Sequence, residues 1–294
     1  MKALYRLTIL TLVAALTTSS CGNPGSTSTP GSFPSVSQDK ALHDALPKNI
    51  RSKNTLVMVT DATMGPPYGY FGDDNKTIEG VDVDLIRAVS QKLGLELDVK
   101  NVKFDSIIPG VKGGRYDLAL TAMLDTPERQ KQVKFVDVLQ GGSSFLVSAD
   151  SKIDDFSQAD ACGKKVGAQT GSVEAEGLSG QSKKCVADGK KAIDVQQYPE
   201  TDKGVLALRA GRIEAYNGAT GMISFITKKD SKVRLAGTPY NQGIQGIAFP
   251  KDSKLATPVK KALEALMEDG TYAEIIDKYG MKDLMVDEVT VNLK

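Results

Sequence analysis

Histidine is almost missing from this chain: His43 is the only one in 294 residues. That scarcity removes the commonest general base, most nucleophile–histidine–acid triads and most zinc sites. No metal or cofactor is therefore expected. No glycine-rich loop ending in Lys-Ser or Lys-Thr occurs, and Gly163-Lys164-Lys165 is not one, so a nucleotide phosphate cradle is not expected either. Charge of one sign is also lacking. Lys and Arg number 37 against 36 Asp and Glu, a net charge of +1 with no basic block, which argues against a nucleic-acid partner. Beyond the first twenty residues there is no long hydrophobic run, so the body is expected to be soluble. Carboxylate or lysine chemistry stays open. An apolar fraction of 40% is adequate for a real core.

The N-terminus has the order of an export signal. Lys2 and Arg6 give a basic start, Leu7 to Leu16 an apolar centre broken by Thr8 and Thr11, and Thr17 to Ser20 small residues suited to processing. The alternative, a membrane-spanning helix, needs about 20 apolar residues, and this run is roughly half that. Cys21 stands where bacterial lipoproteins carry a lipidated cysteine, although Thr18 replaces the usual leucine three residues earlier. Simple signal cleavage is the alternative. From Gly22 to Ser37 the chain is nearly all Gly, Asn, Pro, Ser and Thr, a composition that cannot bury a core and reads as a tether.

Cysteine is scarce too. Three are present, and with Cys21 lipidated, Cys162 and Cys185 remain as a pair. Export permits a disulfide between them, worth roughly 3 kcal/mol for a loop of this length in the chain-entropy model. Two separate thiols are the alternative.

Strands and helices alternate along the body. Thr55 to Thr60 and Glu96 to Val102 read as strands, and Asp84 to Leu93 as a helix with apolar residues at helical spacing. Asp105 is a candidate N-cap for a helix from Ser106 to Lys112, followed by a strand from Tyr116 to Met123. After Gly141-Gly142 the pattern restarts. Strands are expected at 144–147, 165–168, 213–216 and 246–249, and helices at 201–209, 222–227, 256–268 and 272–279. This is an α/β pattern with helices on both faces of a sheet.

Four stretches carry a family resemblance. They are Gly80-Val81-Asp82-Val83-Asp84-Leu85, then Phe104 to Gly110 with Gly114-Arg115-Tyr116-Asp117, then Thr126-Pro127-Glu128-Arg129-Gln130-Lys131-Gln132-Val133, and last Asp269-Gly270-Thr271-Tyr272 with Lys278-Tyr279. In that order the chain resembles the periplasmic amino-acid-binding proteins of ABC importers, solute-binding protein family 3, over roughly Thr55 to Tyr279. The resemblance implies a type II periplasmic-binding-protein fold with two discontinuous lobes joined by a two-strand hinge near Leu139–Ser143 and Asn241–Gln245. The boundaries expected are residues 1–20 as signal peptide, 21–49 as lipidated cysteine and linker, 50–142 with 246–294 as lobe one, and 143–245 as lobe two.

The resemblance also implies a ligand site. Arg129 matches the arginine that grips the ligand's α-carboxylate, and a guanidinium offers a planar fork for that group. Gln169-Thr170-Gly171-Ser172 matches a turn whose hydroxyl and backbone N–H groups complete the carboxylate site, which assigns Thr170, Gly171 and Ser172. Tyr68 and Tyr70 match the aromatic loop lining the cleft. Two positions depart. Leu124 stands where a Thr or Ser is usual, and Ala219 where an Asp pairs with the ligand's α-ammonium. Asp125 or Asp61 could take over; otherwise the α-ammonium is expected to contribute less than in relatives.

The expected function is an extracytoplasmic lipoprotein that captures a polar amino acid or related carboxylate and delivers it to an ABC permease. The expected partners are that ligand, the permease subunits and, through lipid on Cys21, the outer face of the cell membrane. The chain is expected to act as a monomer without nucleic acid. An enzyme on the same fold, such as a dehydratase-like relative using Glu214 or Asp125, is the alternative, but no positioned acid–base pair is legible.

Overall fold

The computed structural model describes residues 33–292, so the signal reading over 1–20 and Cys21 lie outside the described residues. The chain begins with two short helices, α1 (Lys40–Asp44) and α2 (Lys48–Lys53), then β1 (Thr55–Thr60), β2 (Tyr70–Phe71), β3 (Ile78–Glu79), α3 (Val81–Lys92), β4 (Glu96–Asn101), α4 (Phe104–Lys112) and β5 (Leu118–Ala119). A short α5 (Pro127–Gln130) leads into the long β6 (Val133–Ser148). Next come β7 (Lys165–Gln169), α6 (Val173–Ala187), β8 (Asp194–Tyr198), α7 (Thr201–Arg209), β9 (Ala215–Ala219) and α8 (Thr220–Lys229). The long β10 (Val233–Pro250), α9 (Ala256–Glu268) and α10 (Thr271–Lys278) complete the fold.

Eight strands pair in the order β4-β1-β5-β10-β6-β9-β7-β8. β1 runs parallel to both β4 and β5, and β7 parallel to both β8 and β9. Parallel strands of this kind are covered on both faces and read as near-continuous apolar runs, as TLVMVT does in β1. β6 and β10, at 16 and 18 residues, are the exceptions. They run antiparallel to each other from lobe to lobe. Near lobe one β10 meets β5; in lobe two β6 meets β9. Their pairing slips in register between Ala236 and Tyr240, between Tyr240 and Gly243, and between Gln245 and Gly246. Those irregularities flank the Asn241–Gln245 crossover, and bulges of this type bend a strand locally. The result is a two-lobed α/β fold with both crossing strands in one sheet.

The linker expected through residue 49 ends earlier. Asp39 caps α1 by accepting from Leu42 N–H, and its own N–H donates to the Lys92 carbonyl at 2.8 Å. His43 Nδ1 lies 2.8 Å from the Leu93 carbonyl and donates to it. Leu46 and Ile50 are buried in the lobe-one core. Apolar anchors begin inside the tether-like stretch itself, where Phe33 and Val36 pack against the core.

Other boundaries also differ from expectation. The helix expected from Ser106 starts at Phe104 with Lys103 at its cap, so Asp105 sits in the first turn. There it favours the helix dipole without capping. The strand expected over 116–123 is cut to Leu118–Ala119 because Ala122 turns left-handed at φ 48°. Helix α6 was not anticipated beyond the capping role of Ser172. It carries Gly177 and Gly180, and Ala175, Leu178 and Cys185 are the apolar side chains it buries, too sparse a stripe to announce a helix. Cys162 and Cys185 are joined by a disulfide with Cα atoms 5.7 Å apart, which ties α6 to the turn before β7.

Two of the sequence motifs meet in space. Asp84, in the first turn of α3, accepts from Lys278 Nζ at 2.7 Å and from Tyr279 OH at 2.8 Å, and pairs with Arg87 at 2.5 Å. Gly80 starts α3 at φ 124°, and a side chain there would overlap the Tyr68 carbonyl.

Candidate ligand-binding site

A narrow cavity of about 20 Å³ lies where the two lobes face each other. Lobe one contributes Met64, Phe104, Ala122, Leu124 and Arg129, and lobe two contributes Gln169, Ser172, Val173 and Glu174. Thr201, Tyr216, Asn217, Ala219 and Met222 close it from α7, β9 and α8, and Gly142 from the crossing strand β6.

Arg129 is held in place by the protein's own contacts. Thr126 caps the short α5 and Pro127 occupies its first turn, which presents Arg129 inward. Its Nη1 donates to the Leu124 carbonyl at 2.9 Å, and its Nη2 reaches the Gly171 carbonyl of the opposite lobe at 3.5 Å. The guanidinium stacks over the Phe104 ring, 5.6 Å from the centroid. Burial pulls its pKa down, while the charges of Glu174, Glu176 and Asp125 push it up. An arginine stays cationic under that balance. Leu124 thus serves the site through its carbonyl and its apolar side chain.

Across the cavity, Ser172 caps α6 by accepting from Ala175 N–H at 3.1 Å. Gly171 precedes it at φ 77°, a left-handed turn that glycine adopts without strain. The N-terminus of a 15-residue helix therefore points its free N–H groups and positive dipole end toward the cavity. Thr170 shapes the turn through its N–H, which donates to the Tyr198 carbonyl at 2.9 Å, but it does not line the cavity.

Four expected positions stand away from the wall. Tyr68 is fully buried behind it and accepts from Gln245 Nε2 at 3.1 Å, and that burial raises its pKa. Tyr70 packs near Glu79 and Asp84 on the far side. Their loop reaches the cavity through Met64 instead, four residues before Tyr68; Phe104 and Tyr216 supply the aromatic surface. Asp125 turns to Gln130, whose Nε2 donates to it at 3.0 Å. Asp61 lies behind Gln169. One oxygen accepts from Thr63 N–H and hydroxyl, the other from Gln169 Nε2 at 2.6 Å. Ala219 lies on the wall as the last residue of β9 and brings no acid.

The acid on the wall is Glu174, a residue that sequence reasoning missed. It is 7% exposed, and Ser143 Oγ donates to its Oε1 at 2.7 Å. A glutamate in the first turn of a helix ordinarily reads as a solvated partner of the dipole. Its approach to Ser143 depends on how α6 packs over β7 and β9, which no local pattern encodes. Asn217 is also fully buried on the wall. Its Nδ2 donates to Tyr240 OH at 2.6 Å, while its Oδ1 has no donor among the described residues.

Similar proteins are numerous. The arginine-binding extracellular protein ArtP of Bacillus subtilis (strain 168) is 33% identical over 232 residues, 77% of this chain and 86% of that protein. The ABC transporter arginine-binding protein 1 of Escherichia coli (strain K12) is 28% identical over 221 residues, 73% of this chain and 86% of that protein. A solved structure of an ancestral arginine-binding protein bound to arginine superimposes with a TM-score of 0.69 at 30% identity, covering 77% of this chain and 98% of that one. The fold matches the type II two-lobed arrangement of that structural neighbour, and no helix among the described residues is long and apolar enough to cross a membrane. With the family model matching residues 56–282, the chain belongs to the bacterial extracellular solute-binding proteins, family 3.

Proposed function

We propose that this chain is the receptor component of an ABC importer, which captures an amino acid between its lobes outside the cytoplasmic membrane and delivers it to the permease. One observation carries the reading above the rest. A buried arginine from lobe one faces the N-terminus of α6 from lobe two across a closed cavity. A carboxylate between them would take a bidentate fork from Arg129 and N–H or hydroxyl donors from Gly171 and Ser172, and would hold the lobes together. Relatives named for arginine binding and for ABC transport support the ligand class and the partner. Lipid on Cys21 as the membrane anchor is supported by the signal-like run before it and the tether-like composition after it. The cavity wall brings no acid–base pair at catalytic spacing, which favours binding over turnover.

The test is a thermal-shift panel of L-amino acids on the purified full chain, followed by recovery of the ligand. Stabilisation by at least one amino acid, recovered chemically unchanged, is the expected result. Stabilisation by none, or conversion of the ligand, overturns the reading.

A further inference from the structure

The charges on the cavity wall restrict the ligand more narrowly than the family does. Arg129 and Glu174 carry the only formal charges among the described residues lining it. Both side chains are more than nine-tenths buried, and they form no ion pair with each other within 4 Å. Each is only partly satisfied by the protein: Arg129 by two carbonyls, Glu174 by the Ser143 hydroxyl. Buried charges in a closed site need partners, so a bound ligand must bring one negative and one positive group.

The position of Glu174 says which positive group it meets. Ser143 and Ala219 are cross-strand partners on β6 and β9, and such partners lie about 5 Å apart. By accepting from Ser143, the Glu174 carboxylate comes to the same stretch of wall as Ala219, where no other acid reaches. Beside it, Asn217 Oδ1 is a second buried acceptor without a donor. Carboxylate and amide oxygen together suit an ammonium, which has three N–H groups to place. The rest of the wall, with Met64, Phe104, Leu124 and Met222 against Gln169 and Thr201, has polar and apolar surface but no third charge.

Resting on the amino-acid reading above, we propose that Glu174 pairs with the ligand's α-ammonium, assisted by Asn217, and that the ligand is an α-amino acid with an uncharged side chain. Arg129 and Glu174 neutralise the two ends of the zwitterion, and a side-chain charge would be desolvated without a partner. The inference reverses the expectation that the amine contributes little, and it separates this chain from relatives named for arginine.

Calorimetry on the full chain tests this with L-glutamine, L-methionine, L-arginine, L-lysine and L-glutamate, then with the N-acetyl form of the tightest binder. An uncharged side chain should bind at least about tenfold more tightly than arginine, lysine or glutamate, and N-acetylation should weaken binding by at least about tenfold. In Glu174→Gln, binding of the free amino acid should fall by a similar factor and N-acetylation should matter less. The wild-type measurements decide the matter even if that variant does not fold. Preference for arginine, lysine or glutamate overturns the uncharged side chain, and full tolerance of N-acetylation by the wild type overturns the Glu174 assignment; either leaves an amino-acid receptor intact. Binding of no amino acid at all overturns both.

Discussion

Gln169, the last residue of β7 in lobe two, donates to the Asp61 carboxylate of lobe one across 2.6 Å. Both residues are buried, and Thr63 holds the other Asp61 oxygen with two further hydrogen bonds at 2.9 and 2.7 Å. Burial raises the Asp61 pKa, while Thr63 and Gln169 pull it back down. This is a bond between lobes at the edge of the cavity, formed only when they meet.

Breaking it should loosen the closed form, at a residue that also lines the cavity. A hydrogen bond to a charged group contributes about 1.5–3 kcal/mol, so Gln169→Ala should weaken ligand binding by roughly tenfold or more. Stopped-flow or surface-binding kinetics should place the loss in dissociation, as is usual for closed interfaces. An unchanged dissociation rate would show that the bond is incidental to closure.

Asp82 sets a pH dependence of stability. It is fully buried in the first turn of α3, both carboxylate oxygens have no hydrogen-bond partner among the described residues, and burial pushes its pKa up to about 7. The folded chain therefore keeps a proton that the unfolded chain has released. Stability from this group is complete below the unfolded value near 3.8, falls as pH rises through the window up to about 7, and levels off above it. Asp82→Asn removes the titration. Its unfolding free energy relative to wild type should improve by as much as about 4 kcal/mol between about pH 4 and about pH 8. Denaturant melts at both pH values check this; a difference independent of pH would contradict it.

The Cys162–Cys185 bond closes a loop with a sequence separation of 23. Replacing both cysteines by serine should lower stability by about 2–4 kcal/mol, mainly through the unfolded chain. Ligand affinity should change little, because neither cysteine lines the cavity. A non-reduced peptide map of the secreted protein should show the linked pair, and two thiols alkylated without reductant would contradict it.

Much of the fold was legible because its signals are local. The apolar run of β1, the periodicity of α9 and the Asp269-Gly270 stop between the last two helices need no tertiary information. The link between Asp84 and Lys278-Tyr279 explains why two distant motifs travel together: one forms the socket for the other. Arg129 and Ser172 were singled out by the family resemblance of Thr126 to Val133 and of Gln169 to Ser172, and both line the cavity. What escaped depended on tertiary approach. Glu174 looks like any acid in a first helical turn until Ser143 is seen beside it. Tyr68 looks like a cleft aromatic until its hydroxyl is found occupied by Gln245. The residues themselves marked β6 and β10 only at 144–147 and 246–249; their middles, rich in glycine and polar residues where they cross between lobes, were expected only from the resemblance, as hinge strands near Leu139–Ser143 and Asn241–Gln245.

The central claim is that Arg129 grips a ligand carboxylate in the closed cleft. Calorimetric titration of Arg129→Ala against the amino acid that binds wild type tests it most directly. The rest of the wall survives that change, so the variant should remain folded with the same thermal unfolding profile in the absence of ligand, within a few degrees. Truncating a buried, charge-assisted fork should cost about 2–5 kcal/mol, and affinity should fall by more than thirtyfold. A folded variant whose affinity falls by less than about tenfold would contradict the account.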